Sequence, residues 1–496
     1  MRKNRSAAVT AASFLLMAGA AIALAPAAHA GTPGGTAAND RNCDFNGDGY
    51  EDALLAAPKA TVGGDRDAGY VAVQYGSAKG INTSHRTIID QSTPGVPGSP
   101  EPGDAFGQAL ATGDLDSDGF DDAVIGIPNE DIGTVADAGG VTVLWGSKSG
   151  LTGRDSSWLE SQEPTAKETY GIGVAAARFT SDTPGDVLAI LDRDDLEVSW
   201  WASGAQQRAA APRGLEKSAL ADEGKNIAPS SLTTGDYDRN GYADLVISGT
   251  STGEEPGHGW STLLAGQADG LVYQRDLRGG PVAASGDING DSYDDLVTSE
   301  PHSPDDGGET MTGGLVGVYL GSEEGPVGQE GTVGSPPQWW TQDSPGVAGV
   351  AEQGDGWGSD LSLGDTNGDG YADLAIGASG EDIGTVPDAG AVWLLRGSAQ
   401  GLTATKSVSY DQNSVNVPGD AEKADAFGGQ VRLIDPNKDG KFGLLAAAPG
   451  ENTGDGVVWV LSANAGGLTS AGSWTYGGGS LNAPSADAAF GATIDE

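Results

Sequence analysis

One nine-residue spacing of oxygen-bearing side chains returns five times along this 496-residue chain, and a chain that repeats a loop must repeat a structural unit around it. Asp44, Asn46, Asp48 and Asp52 show the form: carboxylate or amide at positions 1, 3 and 5, carboxylate at position 9. The register returns at Asp114, Asp116, Asp118 and Asp122, and at Asp236, Asp238, Asn240 and Asp244. It returns again at Asp287, Asn289, Asp291 and Asp295, and at Asp365, Asn367, Asp369 and Asp373. A hard cation such as calcium takes six to eight oxygens at about 2.3–2.6 Å, which a tight turn with alternating Asp and Asn supplies. The spacing therefore predicts about five calcium ions.

Position 6 is Gly in four loops, where a sharp turn favours positive φ, and Ser292 in the fifth. Position 7 is aromatic throughout (Tyr50, Phe120, Tyr242, Tyr293, Tyr371); its carbonyl is the expected backbone ligand, with the ring packed beneath the loop. An EF-hand would carry Glu at position 12 between helices. Here position 12 is apolar, as at Leu55 and Ile125, and position 9 runs into strand-like Ala53-Leu54-Leu55-Ala56-Ala57. The loops join strands.

Two further windows keep the place without the chemistry. At 178–186 the register reads Arg178, Thr180, Asp182 and Asp186, and a guanidinium in the first slot opposes a cation. At 435–443 Asp435, Asn437 and Asp439 survive, but Gly443 removes the closing carboxylate, so the site is expected to be weak or empty.

The windows define seven units. Around each, a Phe-Gly-like motif precedes the loop (Phe106-Gly107, Tyr170-Gly171, Trp357-Gly358, Phe427-Gly428). A strand, an Asp-Ala-Gly turn and an alternating strand such as Gly140-Val141-Thr142-Val143-Leu144 follow. Four short strands in seven units predict an all-β, seven-bladed β-propeller. The first unit lacks its Phe-Gly strand, while Ala489-Phe490-Gly491-Ala492-Thr493-Ile494 ends the chain with no loop after it. That strand is expected to complete the first blade and close the ring.

In this order, the Phe-Gly motif, the Gly-Asp-x-Asn-Gly-Asp-Gly-Tyr-x-Asp-Leu loop and the Gly-x-Pro exit resemble FG-GAP repeats, the units of the integrin α-chain propeller. The connector Thr93-Pro94-Gly95-Val96-Pro97-Gly98 is similar to that family's linker. The resemblance covers nearly all of 43–496. It departs in the third and seventh units, and where Ala228-Pro229 and Gly279-Gly280 replace Phe-Gly. It implies adhesion, although fold alone does not carry function.

Residues 1–30 read as a secretory signal: basic Arg2, Lys3 and Arg5, an apolar stretch at 11–24, and Ala28-His29-Ala30 as a small-x-small cleavage site. Residues 31–42 read as a flexible lead-in and 43–496 as the propeller. No other apolar run nears the roughly 20 residues of a membrane helix. The expectation is a secreted, extracellular monomer without membrane insertion. A net charge of −44 disfavours nucleic acid and anionic lipid. The lone Cys43 excludes an intrachain disulfide and reads as a small buried residue.

Catalysis finds little support in the residues. His85, His258 and His302 lie in different units and in no catalytic motif, and each reads as a loop residue. Trp158, Trp339, Trp340 and Trp474, with Ile88 and Tyr410, read as one recurrent outer-strand position serving inter-blade packing. The loops around 254–260 and 302–312 stand out as irregular, partner-site candidates. The reading is a non-catalytic binding or adhesion module with structural calcium, its partner a cell-surface or matrix protein or glycan. The alternatives are a propeller-based polysaccharide lyase or hydrolase, and a glycan-binding lectin.

Overall fold

A computed structural model describes residues 43–495 except 182, 194, 203–204, 209–226, 254–255 and 303–311. The signal and lead-in readings, Asp182 and parts of both irregular loops fall outside the described residues.

Seven four-stranded antiparallel sheets form the molecule. Blade 1 joins Ala53–Ala57, Tyr70–Gln74 and Arg86–Ile89 to the C-terminal strand Thr493–Ile494. Blades 2 to 7 open on Ala109–Gly113, Gly173–Ala177, Ile227–Gly235, Val282–Gly286, Trp357–Gly364 and Gln430–Ile434. Closure follows the expectation: Ile494 pairs with Leu55 and Thr493 with Ala56. The first strands touch one another around a complete ring. They leave an axial cavity of about 270 Å³ whose lining includes Ser231, Thr233, Ser285, Ser359 and Asp360.

The second strand of each blade explains the apolar runs. Ala53–Ala57, Asp122–Ile127 and Asp373–Ala378 are buried at every residue, because both faces meet neighbouring blades. The core is accordingly divided into seven apolar clusters, each built from two adjacent blades. Each buried aromatic there contributes roughly 2–3 kcal/mol. The Phe-Gly motif sits at these joints. Phe106 is fully buried, and its N–H donates to Ala68 O in blade 1 at 2.9 Å. Gly69, at φ 83°, makes that approach possible, since a Cβ there would stand 2.4 Å from Phe106 O.

Two details of the sequence reading change. In blade 3 Ala177 pairs with Val187, whereas in blade 2 Gly113 pairs with Asp122. The loop is one residue longer there, so Val187 fills the position-9 slot and Asp186 stands one place earlier. The outer-strand aromatics also split. Trp158 and Trp339 share a register with Ile88, whereas Trp340 and Tyr410 stand one residue on, facing the other side of their sheets. Trp474 stands one residue before the Trp158 register and faces the same side as Trp340 and Tyr410. Packing at the joints holds for Trp340, which belongs to the cluster of blades 5 and 6, and for Ile88, Trp158, Tyr410 and Trp474, which lie half-buried against inter-blade clusters.

Candidate metal centres

Four of the five loops connect first to second strands and the Asp44 loop leads into the second strand of blade 1, so all gather on one face of the ring. Each winds by the same hydrogen bonds from backbone to its own side chains. In blade 2, Asp114 Oδ1 accepts from Asp118 N at 3.0 Å and Oδ2 from Gly119 N at 3.0 Å. Asp116 Oδ1 accepts from Asp118 N at 3.2 Å, and Asp118 Oδ1 from Phe120 N at 3.0 Å. Short Asx side chains make such turns readily. The position-1 bonds recur at Asp44, Asp236, Asp287 and Asp365.

The position-9 carboxylate does a different task. Asp122 Oδ2 accepts from Leu115 N at 3.0 Å and Oδ1 from Gly146 N at 2.8 Å, stapling the loop to the end of the third strand. Asp52, Asp244, Asp295 and Asp373 make the equivalent pair of bonds. All five are buried. Burial pushes Asp52 and Asp295 up to about 8, with nearby loop carboxylates adding to the rise and backbone N–H bonds opposing it. Asp122 and Asp244 rise for the same reasons. Burial likewise lifts Asp116 and Asp236 to about 6. A cation placed among them would favour their charged forms.

The donor set fits a hard cation. Asp114, Asp116 and Asp122 each bring an oxygen within 4.8 Å of the others, the span of two ligands across one calcium. Elsewhere Asn46, Asn240, Asn289 and Asn367 would offer amide oxygens. Blade 6 differs: Arg396 Nη1 lies 2.7 Å from Asp373 Oδ2, and the Thr366 hydroxyl also donates to that carboxylate. A fixed guanidinium there already offsets part of the loop's charge.

The position-7 rings pack across blades. Phe120 lies over Gly47 of blade 1, Tyr371 over Gly290 of blade 5, and Tyr293 takes the Arg239 guanidinium of blade 4 at 5.9 Å. The expected packing beneath their own loops gives way to contacts with the preceding loop. Sequence reasoning missed position 8. Asp121 Oδ2 accepts from Asp44 N at 2.6 Å, Asp294 Oδ2 from Asp236 N at 2.8 Å, and Glu51 Oε2 from Asp435 N at 2.7 Å. Each caps the loop of the preceding blade. The alternating acids at positions 8 and 9 were the available signal.

The degenerate windows separate. Asp435, Asn437 and Asp439 keep the winding bonds, with Lys441 at position 7. In blade 3 Asp186 Oδ2 instead accepts from Asp114 N at 3.1 Å, the task of position 8.

Cys43 is buried beside Thr112 Oγ1 and Asp495 Oδ2, both at 3.4 Å, and burial pushes its thiol up. Arg432 reaches Glu51 Oε1 at 3.1 Å and the Asp495 carbonyl at 2.5 Å, tying the first loop and the closing segment to blade 7. Of the histidines, His258 is buried; its Nδ1 lies 3.2 Å from Glu300 Oε2 and 2.6 Å from Arg278 Nη2. Among the described residues no helix is long and apolar enough to cross a membrane.

The FG-GAP repeat family matches residues 106–144, 279–314 and 357–395. Phosphatidylinositol-glycan-specific phospholipase D of Rattus norvegicus is 29% identical over 169 residues, 34% of this chain and 19% of that protein. Integrin alpha-PS5 of Drosophila melanogaster is 32% identical over 146 residues, 29% of this chain and 13% of that protein. The chain spans about a fifth or less of these relatives' lengths. A solved Agrocybe aegerita lectin that recognises non-reducing terminal N-acetylglucosamine aligns over 88% of this chain and 93% of its own, with TM-score 0.49 and 12% identity. The FG-GAP repeat is thus matched in three blades of a seven-bladed β-propeller, and its loop geometry is present in five.

Proposed function

We propose that the chain is a secreted, extracellular binding or adhesion module, non-catalytic and monomeric, whose loops hold about five structural calcium ions. The observation that carries this is the position-9 staple: in five blades one buried carboxylate fixes loop and third strand together. Its oxygens are committed to backbone donors, and a cation beside it would neutralise carboxylates that repel one another. The residues holding each ion would be those at positions 1, 3, 5 and 9, with the position-7 carbonyl. Bound calcium supplies charge neutralisation; the chain's own residues supply the turn.

The partner is a cell-surface or matrix protein or glycan, as the match to integrin α repeats suggests. The phospholipase D relatives favour a second reading, in which the propeller serves an enzyme acting on glycan-linked lipid. One experiment addresses both. The calcium-loaded chain is applied to arrays of matrix proteins, surface glycans and glycan-linked lipids, with retention and product release read together. Saturable retention without turnover supports the binding module. Time-dependent release of a cleaved product overturns it.

A further inference from the structure

On the face opposite the calcium loops, three joints between blades carry the same unusual set of residues. Gln91 follows the outer strand of blade 1, and its Nε2 donates to Glu130 Oε2 of blade 2 at 2.7 Å. Gln342 and Glu381 make the same bond at 2.8 Å, and Gln412 and Glu451 at 2.5 Å. The partners are 39 residues apart in all three. An aspartate two residues before each Phe-Gly-type aromatic completes the set: Asp104, Asp355 and Asp425, each 2–3% exposed.

The glutamines are 4%, 1% and 1% exposed, and in every case the buried Oε1 has no hydrogen-bond partner. The Nε2 side of each amide faces a glutamate, and the Oε1 side has no donor within hydrogen-bond reach. A buried acceptor left so is unfavourable. It is left so three times. The charges acting most strongly on Asp104 come from Glu130, Glu101 and Asp131, and on Glu381 from Asp355, Glu352 and Asp382. At the third joint Asp425 and Glu451 interact directly, carboxyl to carboxyl. Burial first, then these neighbours, lifts Asp104, Glu381 and Glu451 to about 7.

The joint between blades 7 and 1 serves as an internal control. There Gly478 stands at the glutamine position, Ala60 at the glutamate position and Ala488 at the aspartate position, all buried. The three polar residues are lost together. At the joint of blades 2 and 3, by contrast, Ser161 stands at the glutamine position while Glu168 keeps an acid at the aspartate position, where it accepts from Thr165 N at 2.7 Å.

We propose that these three joints are a second set of sites for a hard cation of the calcium class. The amide oxygen of Gln91, Gln342 or Gln412 and the paired Glu and Asp carboxylates are the donors. The amide carbonyl is a neutral oxygen ligand, the carboxylates bring two negative charges, and the linker closes over them. Gly98 marks that closure, since a Cβ there would stand 2.8 Å from Gln91 Nε2 and 3.4 Å from Glu130 Oε1. The filled site would pin the linker of one blade to the second-to-third-strand turn of the next.

The test uses the full chain, stripped of metal and titrated with calcium by equilibrium dialysis, beside the triple variant E130Q/E381Q/E451Q. The variant keeps the size of each side chain and is expected to bind three fewer ions per chain. Equal stoichiometry overturns the proposal. A terbium-soaked crystal of the unaltered chain decides independently of whether the variant folds: anomalous peaks beside the three glutamine oxygens support it. Peaks confined to the Asp44-type loops overturn it. Missing loop peaks with joint peaks present would instead refute the loop reading alone. In solution, Trp393 and Trp459 donate to Ala348 O and Pro418 O of the linkers at the second and third joints. Terbium emission excited through tryptophan should therefore fall at least twofold in W393F/W459F.

Discussion

Asp122→Asn tests the staple and the ion separately. Asp122 accepts Leu115 N–H at 3.0 Å through one oxygen and Gly146 N–H at 2.8 Å through the other. Asn offers one oxygen, so one backbone N–H then faces an amide NH2 in a buried place. The lost bond and the orphaned donor cost about 2–3 kcal/mol without metal. Unfolding entropy of roughly 2.1 cal/mol/K per residue gives a ring of about 450 residues close to 1 kcal/mol/K, so Tm falls by about 2–3 °C. Calcium at 100 times its dissociation constant adds about 2.7 kcal/mol per filled site to the unaltered chain. The variant forgoes that in blade 2, and the gap widens to about 5–6 °C. Differential scanning calorimetry with and without calcium reads both values. A gap of the same size in both conditions would show that Asp122 lies outside the ion's ligand set. No gap in the metal-free protein would refute the staple.

Three further outcomes follow from charge placement. Arg396→Met leaves Asp373 buried without its guanidinium and should cost about 3–5 kcal/mol in calcium-free buffer. Calcium should restore more of the melting temperature to this variant than it adds to the parent. Arg432→Met strands Glu51 and frees the Asp495 carbonyl, so denaturant titration should show a similar loss. Thiol-reagent labelling of Cys43 in that variant should quicken as the closing joint opens. Glu300→Gln should flatten part of the pH profile. Burial raises Glu300 above its ordinary 4.5, against the pull of Arg278 and His258. The folded chain therefore holds that proton more tightly than the unfolded one, and stability falls as pH rises from about 4.5 through the raised pKa. The variant lacks that slope; an unchanged slope in thermal melts from pH 4 to 8 would refute the assignment.

The seven-blade ring, its closing strand and the five loops were legible because each rests on local chemistry: Asp at alternate positions, Gly where chains touch, period-2 alternation. What stayed illegible depends on register between segments distant in sequence. The window at 178–186 has Asp186 at its ninth position, and only pairing of Ala177 with Val187 reveals the extra residue. Trp339 and Trp340 are adjacent in sequence and face opposite sides of one sheet. Ring packing of Phe120 on Gly47 crosses a joint, so no single repeat contains it. The Gln91–Glu130 bond was also hidden, although its 39-residue recurrence is present in the sequence. Its members lie in a linker and a turn that read as generic connection.

The caps between loops explain why blade 3 has an acid at Asp186 although Arg178 opens its own loop. Apolar burial holds neighbouring blades together without fixing how far one slides along the other. Directional bonds must set that register. Asp121 and Asp294 set it at the loop face by accepting the first N–H of the preceding loop, while their own N–H groups donate back to Asp44 O and Asp236 O. Asp186 makes this same two-way bond with Asp114, at 3.1 Å through its carboxylate and 2.9 Å through its N–H. Its service is therefore to blade 2, whose loop brings three carboxylate oxygens closest together. Arg178 removes the first ligand of blade 3's own loop without touching that service. The joint and the loop winding are thus served by different residues of one repeat, and blade 3 has the first without the second.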